Sequence, residues 1–227
     1  MKILSIDTSS DICSVAILED NKVIKELHID DIKTHSEKLM PLISDIFNVC
    51  NLSLDNIDLI ACSKGPGSFT GIRIGIATVK AFSDSKNIKS IGISSLDGLA
   101  YNIENVGLTC SLIDAKNNNI YFGLFENYVL KDEYKAITID EALNILKNMA
   151  NVEAGITFVG SGSVLYKDKI LELLPNSTFI EGDKNNSSAI GIGKAAFANY
   201  TNNAFTSLSP LYLRKSQAER MLEEKKC

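Results

Sequence analysis

Tryptophan is absent from the 227 residues, histidine occurs twice and proline four times, and each shortage closes a route to function. Two histidines, His28 and His35, fall short of the clustered ligands of a catalytic zinc centre. So few prolines exclude a polyproline or collagen-like chain. The five cysteines (Cys13, Cys50, Cys62, Cys110, Cys227) are odd in number and contain no Cys-x-x-Cys pair. That argues against a disulfide framework or a cysteine-bound metal and for buried free thiols. Positive charge is also in deficit: 23 Lys and Arg against 28 Asp and Glu leave a formal charge of -5. Such a surface suits the phosphate backbone poorly, so contact with RNA is expected only through a partner. No apolar run is long enough to cross a membrane, and at the N-terminus the run Ile3-Leu4-Ser5-Ile6 ends at Asp7. A cytoplasmic protein is therefore expected.

What is present is an ordinary globular composition, 45% hydrophobic and 22% charged, over a length that allows two lobes with cores of their own. Three short apolar runs between residues 3 and 27, separated by Thr8-Ser9-Ser10-Asp11 and Glu19-Asp20-Asn21, predict a meander of three strands. Thr34 and Glu37 have the spacing of a capping box ahead of Leu39, Leu42, Ile43, Ile46 and Phe47 at helical intervals. They predict a helix to about Cys50, with Pro41 marking a kink or a later start. A strand at 59–62, a glycine-rich loop opening a helix to about Ser83 and a strand at 91–93 complete a βββαβαβ order. A second cycle follows, with strands at 111–113, 121–125 and 156–159 and helices over 141–150, 165–174 and 189–199. Both cycles open on an apolar strand ending in Asp, Asp7 and Asp114, ahead of a polar turn. The reading is α/β, with two similar lobes at 1–106 and 107–227 and a cleft between them.

Chemistry could gather at those turns. Asp7-Thr8-Ser9 ends a strand in a carboxylate followed by hydroxyls, a form that can hold a phosphate or a hydrated metal ion. Asp114 repeats the position, and Gly160-Ser161-Gly162-Ser163 makes a strand-to-helix turn that could touch a nucleotide. Asp7, Thr8, Ser9, Asp114, Gly160 and Gly162 are thus the candidate nucleotide contacts. Neither Asp-ended turn contains the glycine that lets phosphate approach backbone closely, so ATP binding is expected to be weak. Gly65-Pro66-Gly67-Ser68-Phe69-Thr70-Gly71-Ile72-Arg73-Ile74-Gly75 lacks the Gly-Lys-Ser/Thr ending of a phosphate loop. Its four glycines imply positive φ or close backbone approach. Arg73 is one of three arginines, with Arg214 and Arg220, and in a lysine-rich chain that hints at a planar contact lysine cannot make.

Taken together, Ile6-Asp7-Thr8-Ser9, His35-Ser36-Glu37, the stretch at 65–75, Gly92-Ile93-Ser94-Ser95-Leu96 and Pro210-Leu211-Tyr212-Leu213-Arg214 resemble the TsaB (YeaZ) family of bacterial threonylcarbamoyladenosine biosynthesis proteins. The resemblance spans nearly the whole chain. It implies the two-lobed actin/sugar-kinase/Hsp70-like fold. It also implies a non-catalytic scaffold subunit without a cofactor, which supports the metal-bearing catalytic relative TsaD, works with the ATPase TsaE and meets tRNA only within the complex. In that relative a histidine pair binds metal; the matching positions here are Ser95 and Leu99, so no metal site is expected. The family's Asp-Ala-Arg-x-Gly segment reads Asp114-Ala115-Lys116-Asn117-Asn118. Met40, Ile43, Phe47, Ile72, Arg73, Ile74 and Ile76, on the two helices of the first lobe, are expected to meet the equivalent helix pair of TsaD in a four-helix bundle. A second copy would take that place when the partner is missing. The rival readings are an ATPase or phosphotransferase of the same fold, with Asp7 and Asp114 flanking Mg-ATP, and an M22-type peptidase, for which no nucleophile or metal set stands in the sequence.

Overall fold

The computed structural model describes residues 1–30, 35–104, 107–149 and 155–214. The expected meander is present as β1 (Lys2–Asp7), β2 (Ile12–Glu19) and β3 (Lys22–Asp30), joined antiparallel in sequence order. Helix α1 (His35–Cys50) follows, then β4 (Leu59–Ser63), α2 (Phe69–Lys86), β5 (Lys89–Ile93) and α3 (Ser95–Tyr101). Because β4 lies parallel to β1 and β5 parallel to β4, the first sheet has the order β3-β2-β1-β4-β5. Helix α1 is continuous from His35 through Pro41, so the later start does not occur. Thr34, the expected cap, lies outside the described residues.

The second cycle repeats this plan. Strands β6 (Leu108–Asp114), β7 (Asn119–Glu126), β8 (Val129–Leu130) and β9 (Lys135–Thr138) precede α4 (Ile139–Lys147). Strand β10 (Ile156–Val159), α5 (Ser161–Leu165), α6 (Lys167–Leu173), β11 (Thr178–Phe179) and α7 (Ala189–Thr201) complete it. In space β9-β7-β6-β10-β11 matches β3-β2-β1-β4-β5, with the same antiparallel and parallel pairings. The weak repeat read from two Asp-ended strands is thus a whole duplicated unit. The single helix expected at 165–174 is two helices, since Tyr166 (φ -111°, ψ 19°) leaves helical geometry between them.

Alternation along the strands explains why β1 is buried on both faces. Leu4 and Ile6 of β1, with Val15 and Ile17 of β2, pack beneath Leu39, Leu42, Ile43 and Ile46 of α1 and Ile72, Ile76 and Val79 of α2. Ile3, Ala16 and Leu18 point the other way and meet Ala189, Ile192, Ala195 and Ala196 of α7. The boundary expected at 106/107 separates the two sheets, yet α7 and the residues after it return to the first sheet's core. Close contact of α7 with α3 fixes that return: a Cβ on Gly191 would lie 2.0 Å from the Gly98 carbonyl oxygen. Cys13, Cys62 and Cys110 are buried free thiols and Cys50 is half-buried; Cys227 lies outside the described residues.

Candidate functional site: the interlobe cleft and the α1–α2 face

A cleft of about 690 Å³ opens between the sheets, lined among others by Ser9, Ser10, Asp11, Asp30, Asp114 and Lys116. It brings the two Asp-ended turns together, as the repeat implies. The groups nominated to hold a nucleotide are nevertheless engaged within the protein. Asp7 is 1% exposed, and its Oδ1 accepts the Ser9 amide N–H at 2.8 Å and the Ser9 hydroxyl at 2.7 Å. Burial raises its pKa above the ordinary carboxylate value, against the lowering effect of those hydrogen bonds. The Thr8 hydroxyl donates to the Gly71 carbonyl at 2.8 Å. Across the cleft, Asp114 accepts the Lys116 amide at 2.9 Å and its ammonium at 2.8 Å. Lys116, Asn117 and Asn118 all have positive φ, a conformation that asparagine tolerates better than most residues, and so the turn closes without the family's glycine.

The glycine-rich loop borders the cleft at Gly67, Ser68 and Phe69, but its glycines are packed against the first turn. The Ser68 amide donates to the Ser9 carbonyl at 2.7 Å, and Cβ atoms on Gly67 and Gly71 would lie 2.2 Å and 1.9 Å from the carbonyl oxygens of Ser9 and Thr8. Close approach is what these glycines provide, and what approaches is the chain itself. Gly160 and Gly162 serve the same purpose against β6: a Cβ on Gly160 would sit 2.3 Å from the Leu112 carbonyl oxygen, and one on Gly162 2.9 Å from Leu112 Cβ. The Gly160 amide donates to buried Asn185 Oδ1 at 2.7 Å. Asn185 sits in a polar run with no pattern to single it out.

Ser95 and Leu99, the positions expected to match the relative's histidine pair, are not strong metal ligands. Ser95 is buried with its hydroxyl 2.8 Å from that of Ser63, and Leu99 is buried. Among the described residues no three His, Cys, Asp or Glu side chains gather as a metal-binding group. His35, at the start of α1, has its Nε2 2.9 Å from the Ser10 carbonyl oxygen. Helices α1 and α2 are therefore both tied to the turn that walls the cleft.

The surface of α1 and α2 corrects part of the expected interface. Ile43, Ile72 and Ile76 are 2%, 0% and 5% exposed and belong to the core beneath the helices. An apolar stripe that covers the molecule's own sheet cannot also face a partner. What remains outside is Met40 and Val49, both exposed, and Phe47 and Ile74, half-buried. Arg73 is exposed but engaged: its Nε donates to the Tyr212 hydroxyl at 2.8 Å while the Tyr212 ring stacks on Phe69 at 4.5 Å. Its contact is one hydrogen bond, with the guanidinium 5.7 Å from the Tyr212 ring centroid, and the partner lies 139 residues away in the chain.

Residues 23–222 match the family model described as TsaD: tRNA N6-adenosine threonylcarbamoyltransferase. The chain is 30% identical over 230 aligned positions, 96% of each chain, to the tRNA threonylcarbamoyladenosine biosynthesis protein TsaB of Bacillus subtilis. It is 31% identical to the TsaB of Escherichia coli over 56% of this chain and 55% of that one. Among solved structures, YeaZ from Pseudomonas aeruginosa superposes with a TM-score of 0.74 at 22% identity, covering 93% of this chain and 99% of that one. A ROK hexokinase from Thermus thermophilus superposes at 0.53 and 9% identity, covering 89% and 100%, which places the two-lobed architecture among the sugar-kinase-like folds. With 96% of its length matched to TsaB and its architecture matched to YeaZ, the chain belongs to the TsaB (YeaZ) family.

Proposed function

We propose that this protein is a non-catalytic subunit in the making of threonylcarbamoyladenosine on tRNA, presenting the outer face of α1 and α2 to the TsaD-type catalytic relative. The observation that carries the reading is the internal engagement of the cleft: Asp7 is held by Ser9, Thr8 by Gly71 and Asp114 by Lys116. A phosphate entering there would compete with these bonds and face the carboxylates of Asp11, Asp30 and Asp114 against the single lysine among the lining residues. The ATPase or phosphotransferase alternative asks Asp7 to reach Mg-ATP, and Asp7 is buried beneath Ser9. TsaE enters the proposal as the ATPase of the assembly, and tRNA as a ligand of the complex.

Met40, Phe47, Val49 and Ile74 supply an apolar surface, the composition of an interface centre. In a stable complex the buried area would be on the order of 1,200–2,000 Å². Glutamate at Met40 or Ile74 would bury a carboxylate without a partner there, at a cost of several kcal/mol. Met40→Glu and Ile74→Glu are therefore expected to weaken association with the catalytic relative by about 100-fold or more, and to abolish self-association, with the fold retained. Pull-down and sedimentation of the folded variants measure this; unchanged affinity in both would move the interface elsewhere. Reconstituted tRNA modification with and without the chain tests the function itself, and full modification in its absence would refute the proposal.

A further inference from the structure

After α7 the chain turns at Asn203 (φ 55°) and runs back across the molecule from Thr206 to Arg214. It first lines the outer edge of β5: the Thr206 hydroxyl donates to the Gly92 carbonyl, and the Gly92 amide donates to the Thr206 carbonyl at 3.4 Å. The Leu211 amide then donates to the Lys64 carbonyl at 2.7 Å. Tyr212 docks on α2 between Phe69 and Arg73, and Leu213 packs into the cluster of Leu96, Tyr121 and Phe125 that joins α3 to the second sheet. Two residues past Tyr212, Arg214 Nη1 donates to the Ala115 carbonyl at 2.7 Å, in the turn that forms the far wall of the cleft. The underlying backbone is stripped of side chains to receive the segment. A Cβ on Gly65 would lie 2.8 Å from the Leu211 carbonyl oxygen, and one on Gly92 2.6 Å from that of Ser207.

We infer that Thr206–Arg214 is a clasp between the lobes, which makes the α2 face and the Asp114–Asn119 turn respond to one another. Tyr212 and Arg214 are its positioning residues. The short spacing between them allows little slack, so a shift of the second-lobe turn is passed to Arg73 and the first turn of α2, and the reverse. The inference stands on intramolecular contacts alone and does not depend on which partner α2 meets.

Hydrogen exchange on the full chain tests it, with Tyr212→Ala, the milder Tyr212→Phe, and Arg214→Gln. If the clasp couples the lobes, Tyr212→Ala speeds exchange at least tenfold at the Ala115 and Asn119 amides, which Tyr212 does not touch. Arg214→Gln does the same at Gly71 and Ile72 in α2. Tyr212→Phe keeps the ring stack but loses the hydroxyl that Arg73 holds, and gives a smaller change at the same distant sites. It also serves as the deciding variant should the alanine change unfold the protein. Exchange that rises only within 206–214 in the folded variants would overturn the clasp and leave the segment a local covering strand.

Discussion

Gly71→Ala should lower the melting temperature by roughly 6–12 °C, the shift that about 3 kcal/mol produces in a chain of this size. Propensity alone argues the opposite sign, because alanine is favoured over glycine inside a helix by about 1 kcal/mol. Geometry decides against it. The new Cβ would lie 1.9 Å from the Thr8 carbonyl oxygen and 3.1 Å from its carbonyl carbon, both backbone atoms with no rotamer to change. Moving the helix away would break the Ser68 amide bond to the Ser9 carbonyl and the Thr8 hydroxyl bond to the Gly71 carbonyl. These contacts fix the Thr8–Ser9 turn, and β1 behind it is buried from Ile3 to Asp7 in the first sheet. Thr70→Ala, one residue earlier on an exposed position, serves as the control and should stay within about 0.5 kcal/mol of the parent. Thermal unfolding followed by circular dichroism measures both. A Gly71→Ala variant as stable as the parent would mean that α2 is not held against the turn.

How far such packing could be read beforehand varies with how local its cause is. Strands β1 to β3 and helix α1 were legible because alternation and 3.6-residue spacing are properties of neighbouring residues. Met40 and Val49 fell outside the α1 stripe in the sequence, and they lie exposed. Ile43, Ile72 and Ile76 lie in the core where a partner face was expected, because apolarity does not say which apolar surface a residue meets. Helix α3 escaped because its seven residues carry Gly98 at the centre, a position that exists to let α7 come close. Strand β9, four half-buried residues, shows its role only once paired with β7. Asp7 was legible as a strand-ending carboxylate and illegible as a buried one, since its burial depends on segments distant in the chain, with Ser63 at the end of β4 among its neighbours. Arg73 stood out as a rare arginine, and only the fold could supply Tyr212.

Asp97, which no pattern singled out, supports the second large expected effect. It sits in the first turn of α3, where both carboxylate oxygens lie within hydrogen-bond distance of the Tyr134 hydroxyl, at 2.9 and 2.8 Å. Burial pushes its pKa up to about 6, against the lowering effects of Tyr134 and of the Lys64 charge. The same surroundings raise the Tyr134 phenol and lower the Lys64 ammonium, burial being the chief cause of each. A carboxylate with a raised folded pKa binds protons more tightly in the folded than in the unfolded chain. Its contribution is fully present below the ordinary value of 3.8 and is lost as pH rises through about 6. Above that window the buried charge costs about 3 kcal/mol. Asp97→Asn keeps an acceptor for Tyr134 and removes the charge. Lys64 then loses a favourable neighbour, but no ion pair closer than 4 Å joins it to Asp97 among the described contacts, so that loss is at most ~1 kcal/mol. The variant should therefore match the parent near pH 4, exceed its stability by about 2–3 kcal/mol at pH 8, and show a flatter pH dependence between. Tyr134→Phe should act in the opposite direction, since the carboxylate loses its donor and the decline with rising pH becomes steeper. Urea unfolding of the three proteins from pH 4 to 8 separates the cases. Parallel pH profiles for parent and Asp97→Asn would show that Asp97 is not the group whose burial the folded state pays for.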